Sequence, residues 1–265
     1  MNAPIRYFGG KGTMFNEIIE RFPDKDSYRI YIEPFGGTYS VGFHMPHIPP
    51  VEIYNDLERN VYSLYHVLRD DELYEKFVKA VNLIPFSEDE RREAKEKLKD
   101  ESISMLDRAV SFFVVNRMSH NGIGGISLNM IVRRNMSKSV SDYLSAVDRL
   151  PEVHQRLSRV MVLNRDAIEL MERYSSSDVF MYCDPPYVWD TRGATRYSVD
   201  NDNEWHKKFV QTCIASKSKI LISGYEHEIY EELERNGFEK IKFDVHTIDG
   251  NLSPKTKTEV LWKNY

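Results

Sequence analysis

Four consecutive residues, Asp184-Pro185-Pro186-Tyr187, carry the strongest chemical signal in the chain. The two prolines fix φ and remove two backbone donors. The result is a stiff turn that offers a carboxylate and free carbonyls beside an aromatic ring. Such a turn suits an exocyclic amine with two hydrogens, such as adenine N6. That nitrogen is a weak nucleophile, because its lone pair is delocalised into the ring. The Asp184 carboxylate and the Pro185 carbonyl can accept both hydrogens and draw the nitrogen toward tetrahedral geometry. The localised pair can then attack the methyl of a sulfonium in line. Tyr187 can stack on the base, an interaction worth about 1–3 kcal/mol.

A second set of residues suits an adenosine cofactor. Glu33-Pro34-Phe35-Gly36-Gly37 follows a strand pattern, and its glycines allow backbone to approach a ligand closely. Asp56 ends the next strand pattern, where an acid commonly holds two ribose hydroxyls. Asp166 has two readings: with Glu169 it makes a helix capping box, and it could equally stand near the cofactor adenine. Tyr7-Phe8-Gly9-Gly10-Lys11-Gly12 lacks the spacing of a phosphate-binding loop. Lys11 on that turn could instead bind a carboxylate. Arg117, Arg133, Arg134 and Lys138 lie in a stretch, residues 109–141, without a single acid. They are either a solvated patch or a nucleic-acid contact. The net charge of −5 weighs mildly against nucleic acid unless the cations share one face.

The elements that must position these groups follow from hydrophobic periodicity. Strand patterns occupy residues 29–35, 51–56, 160–163, 179–183, 219–223, 240–247 and 258–262. Helices are expected from 38, over 58–69 with an Asn55/Glu58 capping box, and over 167–174, 203–215 and 227–236. Strands alternating with helices give an α/β fold with a mostly parallel sheet covered on both faces. Between residues 70 and 159 the alternation stops. Helical patterns stand at 87–100, 106–115 and 141–150, around a polar, glycine-rich stretch at 116–129. Residues 1–69 and 160–265 are therefore expected to form the catalytic domain, with 70–159 as a mostly helical insertion.

At 265 residues, with 41% apolar and 29% charged, the composition is that of a soluble globular protein. No apolar run reaches the roughly 18 residues of a membrane span. The first eight residues lack the regions of a signal peptide. Two cysteines and eight histidines show neither a disulfide framework nor a metal-ligand spacing. These features point to a reducing, cytoplasmic-type compartment and to no metal.

Taken in order, the motifs YFGGKG, YIEPFGGTYSVGF, YND, NRDAIEL, DPPY and EVLWKNY resemble the Dam-like DNA adenine-N6 methyltransferases over nearly the whole chain. The resemblance implies a Rossmann-like methyltransferase sheet in the alpha arrangement, with residues 70–159 as the target-recognition insertion. It implies S-adenosyl-L-methionine as cofactor and S-adenosyl-L-homocysteine as product. Tyr7, Lys11, Phe35, Gly36, Gly37, Asp56, Asp166 and Asp184 would surround that cofactor, and Asp184 to Tyr187 would hold a flipped adenine.

The family's FF-x-x-NR-x-x-x-NG stretch is present as Phe112-Phe113, Asn116-Arg117 and Asn121-Gly122. The branch that reads GATC tends to have Tyr before that Asn and Arg shortly after the Gly. Here His120 and Gly124-Gly125-Ile126 stand in those places, so the resemblance does not extend to GATC as the target. His120 and Asn121 would fill the gap left by the flipped base, and Arg117, Arg133, Arg134 and Lys138 would hold phosphates. The expected partner is double-stranded DNA, with room for a partner restriction nuclease. The expected state is a monomer or weak dimer in a bacterial, archaeal or phage setting, with no membrane association. The competing readings are an RNA adenine-N6 methyltransferase, a protein-glutamine or small-molecule methyltransferase, and a catalytically silent DNA-binding module. The intact Asp184 argues against the last.

Overall fold

The seven stretches expected as strands form one sheet. The structure, a computed structural model, describes residues 1–6, 11, 14–122, 124–188, 201–248 and 254–265, with backbone alone for 245–248 and 254–257. In chain order the strands are β1 (Ile30–Glu33), β2 (Val51–Asn55), β3 (Val132–Arg133), β4 (Met136–Ser137), β5 (Val160–Leu163), β6 (Val179–Cys183), β7 (Lys219–Gly224), β8 (Glu239–Ile248) and β9 (Pro254–Lys263). The sheet runs β5-β2-β1-β6-β7-β9-β8, while β3 and β4 make a separate hairpin. β1 pairs parallel with β2 and β6, and β6 pairs parallel with β7. β9 then runs antiparallel to both β7 and β8.

The chain divides into two compact units. One comprises Met1–Phe15, Gly37–Met45 and Arg59–Val162; the other comprises Asn16–Gly36, Pro46–Glu58 and Leu163–Tyr265. Residues 70–159 lie inside the first unit, which also takes in the N-terminal segment and residues 37–45. The short α1 (Phe15–Ile19) belongs, apart from Phe15, to the second unit; the first carries α2 (Ser40–His44), α3 (Arg59–Arg69), α4 (Asp71–Leu83), α5 (Glu88–Lys97), α6 (Met105–Met118), α7 (Lys138–Asp148) and α8 (Leu150–Leu157). Several helices begin on side-chain caps: Asp70, Ser104 and Ser137 accept from Leu73 N, Asp107 N and Val140 N. α7 stops before Pro151, as expected, and that proline opens α8 within its first two positions. The β3–β4 hairpin turns at Arg134 and Asn135, with φ of 54° and 59°. Two consecutive positive φ values are what a two-residue hairpin needs to match strand twist.

The second unit adds α9 (Ala167–Arg173), α10 (Asn203–Ala215) and α11 (Glu231–Arg235). Ile32, Ile53, Met181, Ile220, Ile222 and Trp262 from the strands share one buried core with Ile168, Met171, Phe209 and Leu233 from the helices. Strands covered by helices are apolar on both faces, which explains fully buried β6. Two local expectations need correction. The segment expected as one helix over 227–236 is a 3-10 turn, Glu228–Tyr230, followed by α11. Asn55 does not cap α3: Asp56 Oδ1 accepts from Glu58 N at 2.8 Å, and the Asn55 amide is committed elsewhere.

Candidate active site and nucleic-acid interface

In the sheet, β2 lies on one side of β1 and β7 lies on the far side of β6. The direction of winding therefore reverses between β1 and β6, and open sheets bind ligands at such a point, outside the carboxyl ends of the strands. The Glu33–Gly36 turn leaves β1 there and the Asp184–Tyr187 turn leaves β6 beside it.

Asp184 is half-buried, Pro185 and Tyr187 are buried, and Pro186 is half-buried. Ser223, near the end of β7, donates its hydroxyl to Asp184 Oδ1 at 2.8 Å. Tyr182 lies 3.0 Å from the same Ser223 Oγ. Since the Ser223 proton points to Asp184, Tyr182 is the donor in that second bond. Burial, aided by the charge of Asp184, pushes the Tyr182 hydroxyl well above its ordinary pKa, so it keeps its proton. The order of donors is thereby fixed from Tyr182 through Ser223 to Asp184. Tyr187 is fixed in a similar way. Its hydroxyl donates to Glu259 Oε2 at 2.9 Å, both groups are buried, and its ring meets Tyr225 edge to face at 4.6 Å. Burial and then the charges of Asp184 and Glu259 raise the Tyr187 hydroxyl as well. Sequence reasoning identified neither Ser223, Tyr182 nor Glu259. They sit on strands 39 and 72 residues from their partners, or in the strand interior, with no local motif.

The turns after β1, β2 and β5 are tied together by one side chain. Asn55, fully buried, donates to Pro34 O at 2.9 Å and Arg165 O at 3.0 Å, and accepts from Arg165 N at 2.9 Å. Gly36 N donates to Asn55 O at 2.7 Å. A Cβ on Gly36 would stand 2.2 Å from Tyr54 Cε2, so this glycine makes room for the Tyr54 ring. Phe35 is half-buried and meets Trp205 and Phe209 edge to face at 5.8 and 5.7 Å. Asn164 Nδ2 holds Asp56 O at 2.7 Å. Asp166 caps α9, with Oδ1 accepting from Ile168 N at 2.9 Å and Glu169 N at 3.0 Å. The expected cofactor residues Phe35, Gly36, Asp56, Asp166 and Asp184 thus belong to the sheet unit. Lys11 and Gly37 belong to the helical unit. Lys11 is buried, and Gly37 has φ +48°, with no atom of the described residues within 4 Å of where its Cβ would stand. Tyr7 lies outside the described residues.

The expected DNA-contact residues all lie in the helical unit. Arg133, Arg134, His120 and Asn121 are exposed and Lys138 is half-buried. Arg117 differs: it is only 6% exposed, with NH2 donating to Asp142 O at 2.9 Å. Arg117 thus stands at the wall of a cavity rather than on an open face. That cavity, about 460 Å³, is lined among others by Arg6, Arg117, Arg133, Asp142 and Arg149. Its construction explains the NR-x-x-x-NG pattern. Asn116 accepts from Arg6 N at 2.8 Å and donates to Arg6 O at 2.6 Å, which pins the N-terminal segment. A Cβ on Gly122 would come 2.6 Å from Arg6 O, so only glycine fits. Before the hairpin turn, Leu128, Met130, Ile131 and Val132 are 64–88% exposed, an apolar run beside Arg133 and Arg134.

A family model described as D12 class N6 adenine-specific DNA methyltransferase matches residues 7–249. The chain is also 23% identical over 246 residues to the "Type II methyltransferase M.MjaIII" of Methanocaldococcus jannaschii, covering 83% of each chain.

Proposed function

The chain belongs to the D12 class of N6 adenine-specific DNA methyltransferases, and from that premise we propose that it methylates adenine N6 in duplex DNA, with S-adenosylmethionine as methyl donor and the target base flipped into the Asp184–Tyr187 turn. One observation carries this reading: a carboxylate oriented by a buried hydroxyl relay stands at the carboxyl end of β6, at the reversal point of the sheet. The surroundings suit an adenosine cofactor in kind. A half-buried aromatic ring, Phe35, and an acid, Asp56, stand at the ends of β1 and β2, on turns that Asn55 and its neighbours tie together.

S-adenosylmethionine, when bound, supplies an electrophilic methyl on a positively charged sulfur. The chain's own groups prepare the nucleophile. Asp184 and the Pro185 carbonyl accept the two N6 hydrogens and localise the nitrogen lone pair. With Oδ1 holding the Ser223 proton, the carboxylate is held in one orientation toward the amine. After transfer the nitrogen carries an extra proton, and the Asp184 carboxylate is the acceptor through which it leaves. The N6 amine lies on the pairing edge, so the base must leave the duplex at a cost of a few kcal/mol. Tyr187 would offset part of that cost by contact with the base.

Arg133, Arg134 and Lys138, with Arg117 behind them, are the proposed phosphate contacts, and His120 and Asn121 the proposed support for the opened duplex. Lys11, Gly37 and Tyr7 complete the proposed cofactor set. A restriction nuclease reading the same site is the partner proposed. The decisive experiment expresses the chain in a host without adenine methylation and sequences that host's DNA by a methylation-sensitive method. N6-methyladenine at one recurrent sequence is the expected result. Unmodified DNA from cells containing soluble protein, with no transfer to duplex DNA in vitro, overturns the reading.

A further inference from the structure

Among the described residues, Asp142 is the only acid lining the arginine-rich cavity, against Arg6, Arg117, Arg133 and Arg149. It ends the acid-free stretch of residues 109–141. Its carboxylate gathers three cationic side chains. Arg133 donates to Oδ1 at 2.9 Å, while Arg6 and Lys138 reach Oδ2 at 2.9 and 2.6 Å. Its backbone carbonyl takes Arg117 as well. A carboxylate accepts about four hydrogen bonds, so this one is nearly saturated. One small anion ringed by guanidinium and ammonium donors is the arrangement that arginine and lysine adopt around a phosphate.

The balance of charge leaves room for a stronger anion. Arg149 lines the same cavity and makes no ion pair among the described residues. Arg117 Nε is buried with no hydrogen-bond partner among them. Burial, then repulsion from Arg6 and Arg149, brings the Arg117 pKa down to about 9. Burial alone would raise the Asp142 carboxyl, but Lys138 and Arg6 outweigh it and hold it below its ordinary value. The Arg133 and Lys138 side chains are 51% and 40% exposed, so their pairs with Asp142 are readily exchanged for another anion.

We propose that Asp142 is a built-in phosphate surrogate. It holds Arg6, Arg133 and Lys138 in place while DNA is absent and releases them to one phosphodiester of the DNA backbone, which the arginine-lined cavity receives. The proposal rests on the reading of this face as a DNA contact and deepens it. Asp142 then lowers affinity for DNA in general, so that only a duplex completing the remaining contacts displaces it. No covalent step is involved; one anion replaces another.

The test measures binding of non-cognate duplex DNA to the full chain by fluorescence anisotropy over a salt series, with S-adenosylhomocysteine present. Asp142→Asn removes the competing charge and is expected to bind at least fivefold more tightly at a fixed salt concentration. Arg149→Gln removes a cavity cation that does not partner Asp142. It is expected to bind at least threefold more weakly and to flatten the slope of log K against log salt by about 0.9, the loss of one phosphate contact. Unchanged or weaker binding by folded Asp142→Asn overturns the proposal. If that variant does not fold, Arg149→Gln decides alone, and wild-type affinity and slope would then overturn it. Inorganic phosphate, compared with chloride at equal ionic strength, separates the two sources of phosphate. A phosphate-specific rise in Tm for Asp142→Asn without tighter DNA binding marks a free-anion site and overturns the DNA assignment. Absence of DNA binding by wild type at every salt concentration strikes the underlying reading, and the proposal falls with it.

Discussion

Around Asp184 the partners are buried hydroxyls, Ser223 and Tyr182, with the buried Tyr187–Glu259 pair close by. Around Asp142 they are guanidinium and ammonium groups, of which Arg133 and Lys138 are half or nearly half exposed. The first network has little water to compete with it, so each lost partner leaves a buried polar group unsatisfied. The second lies in reach of solvent and salt, so its bonds are individually weak and exchangeable. Chemistry that depends on the orientation of one carboxylate suits the first arrangement. Reversible contact with a polyanion suits the second.

Substitutions can break this contrast or sharpen it. The largest expected effect is at Asp184. Asp184→Ala should reduce single-turnover methyl transfer by about a thousandfold or more, roughly 4 kcal/mol in the barrier. DNA affinity should be largely kept. Retention of more than about a tenth of the wild-type rate would remove Asp184 from the chemical step. Next comes the proposed cofactor side of the sheet unit. Asp56→Ala should weaken S-adenosylhomocysteine binding by roughly 1.5–3 kcal/mol, the worth of charged hydrogen bonds to ribose. Isothermal titration reads this directly. If both Asp56→Ala and Lys11→Ala bind as wild type does, the cofactor lies elsewhere.

The relay itself gives an intermediate effect. Ser223→Ala should lower kcat by about tenfold, roughly the 1.4 kcal/mol of one oriented hydrogen bond, with KM for DNA little changed. Ser223→Thr, which keeps the hydroxyl, should restore most of the rate. Equal losses in the Ala and Thr variants would mean that Ser223 acts only through packing. Glu259→Ala probes the adjoining pair: it strands a buried Tyr187 hydroxyl and should cost about 1–3 kcal/mol of stability in urea unfolding.

The smallest effect concerns Asp166. As an N-cap of α9, Asp166→Ala should cost about 1 kcal/mol of stability, and Asp166→Asn much less. Cofactor affinity that falls in Asp166→Asn while stability holds would show a second role near the cofactor, beyond the cap.

Much of the sheet unit was legible in sequence. Its strands are short apolar runs ending in turn residues, and its motifs stand at the ends of those runs, so local pattern located both. Asn203–Ala215 is legible to the residue, with Asp202 as a cap at one end and a regular apolar face. The helical unit was less legible. α4 carries Phe77 and Val81 one turn apart with Asp70 as cap, a signal present but weakened by its many charges. The β3–β4 hairpin has strands of only two residues and a turn of Arg134 and Asn135, neither a glycine, so no turn signature marked it. Asn55 looked like a cap from its spacing, because a local pattern cannot show that its amide has distant carbonyls to serve.

What the sequence determined by itself was the position of the Asp184 carboxylate and the order of elements that carries it, since DPPY, the glycine turn and the strand periodicity are all local along the chain. The tertiary structure alone decided which groups orient those residues. Ser223 and Glu259 reach Asp184 and Tyr187 across 39 and 72 residues of chain, and Asn116 clasps Arg6 across 110. It also decided that Arg117 faces a cavity and that Asp142 gathers the cations around it. A hydrogen bond or an ion pair depends on distance in space. Only the packing of distant elements sets that distance, so no periodicity or motif could have revealed those partners.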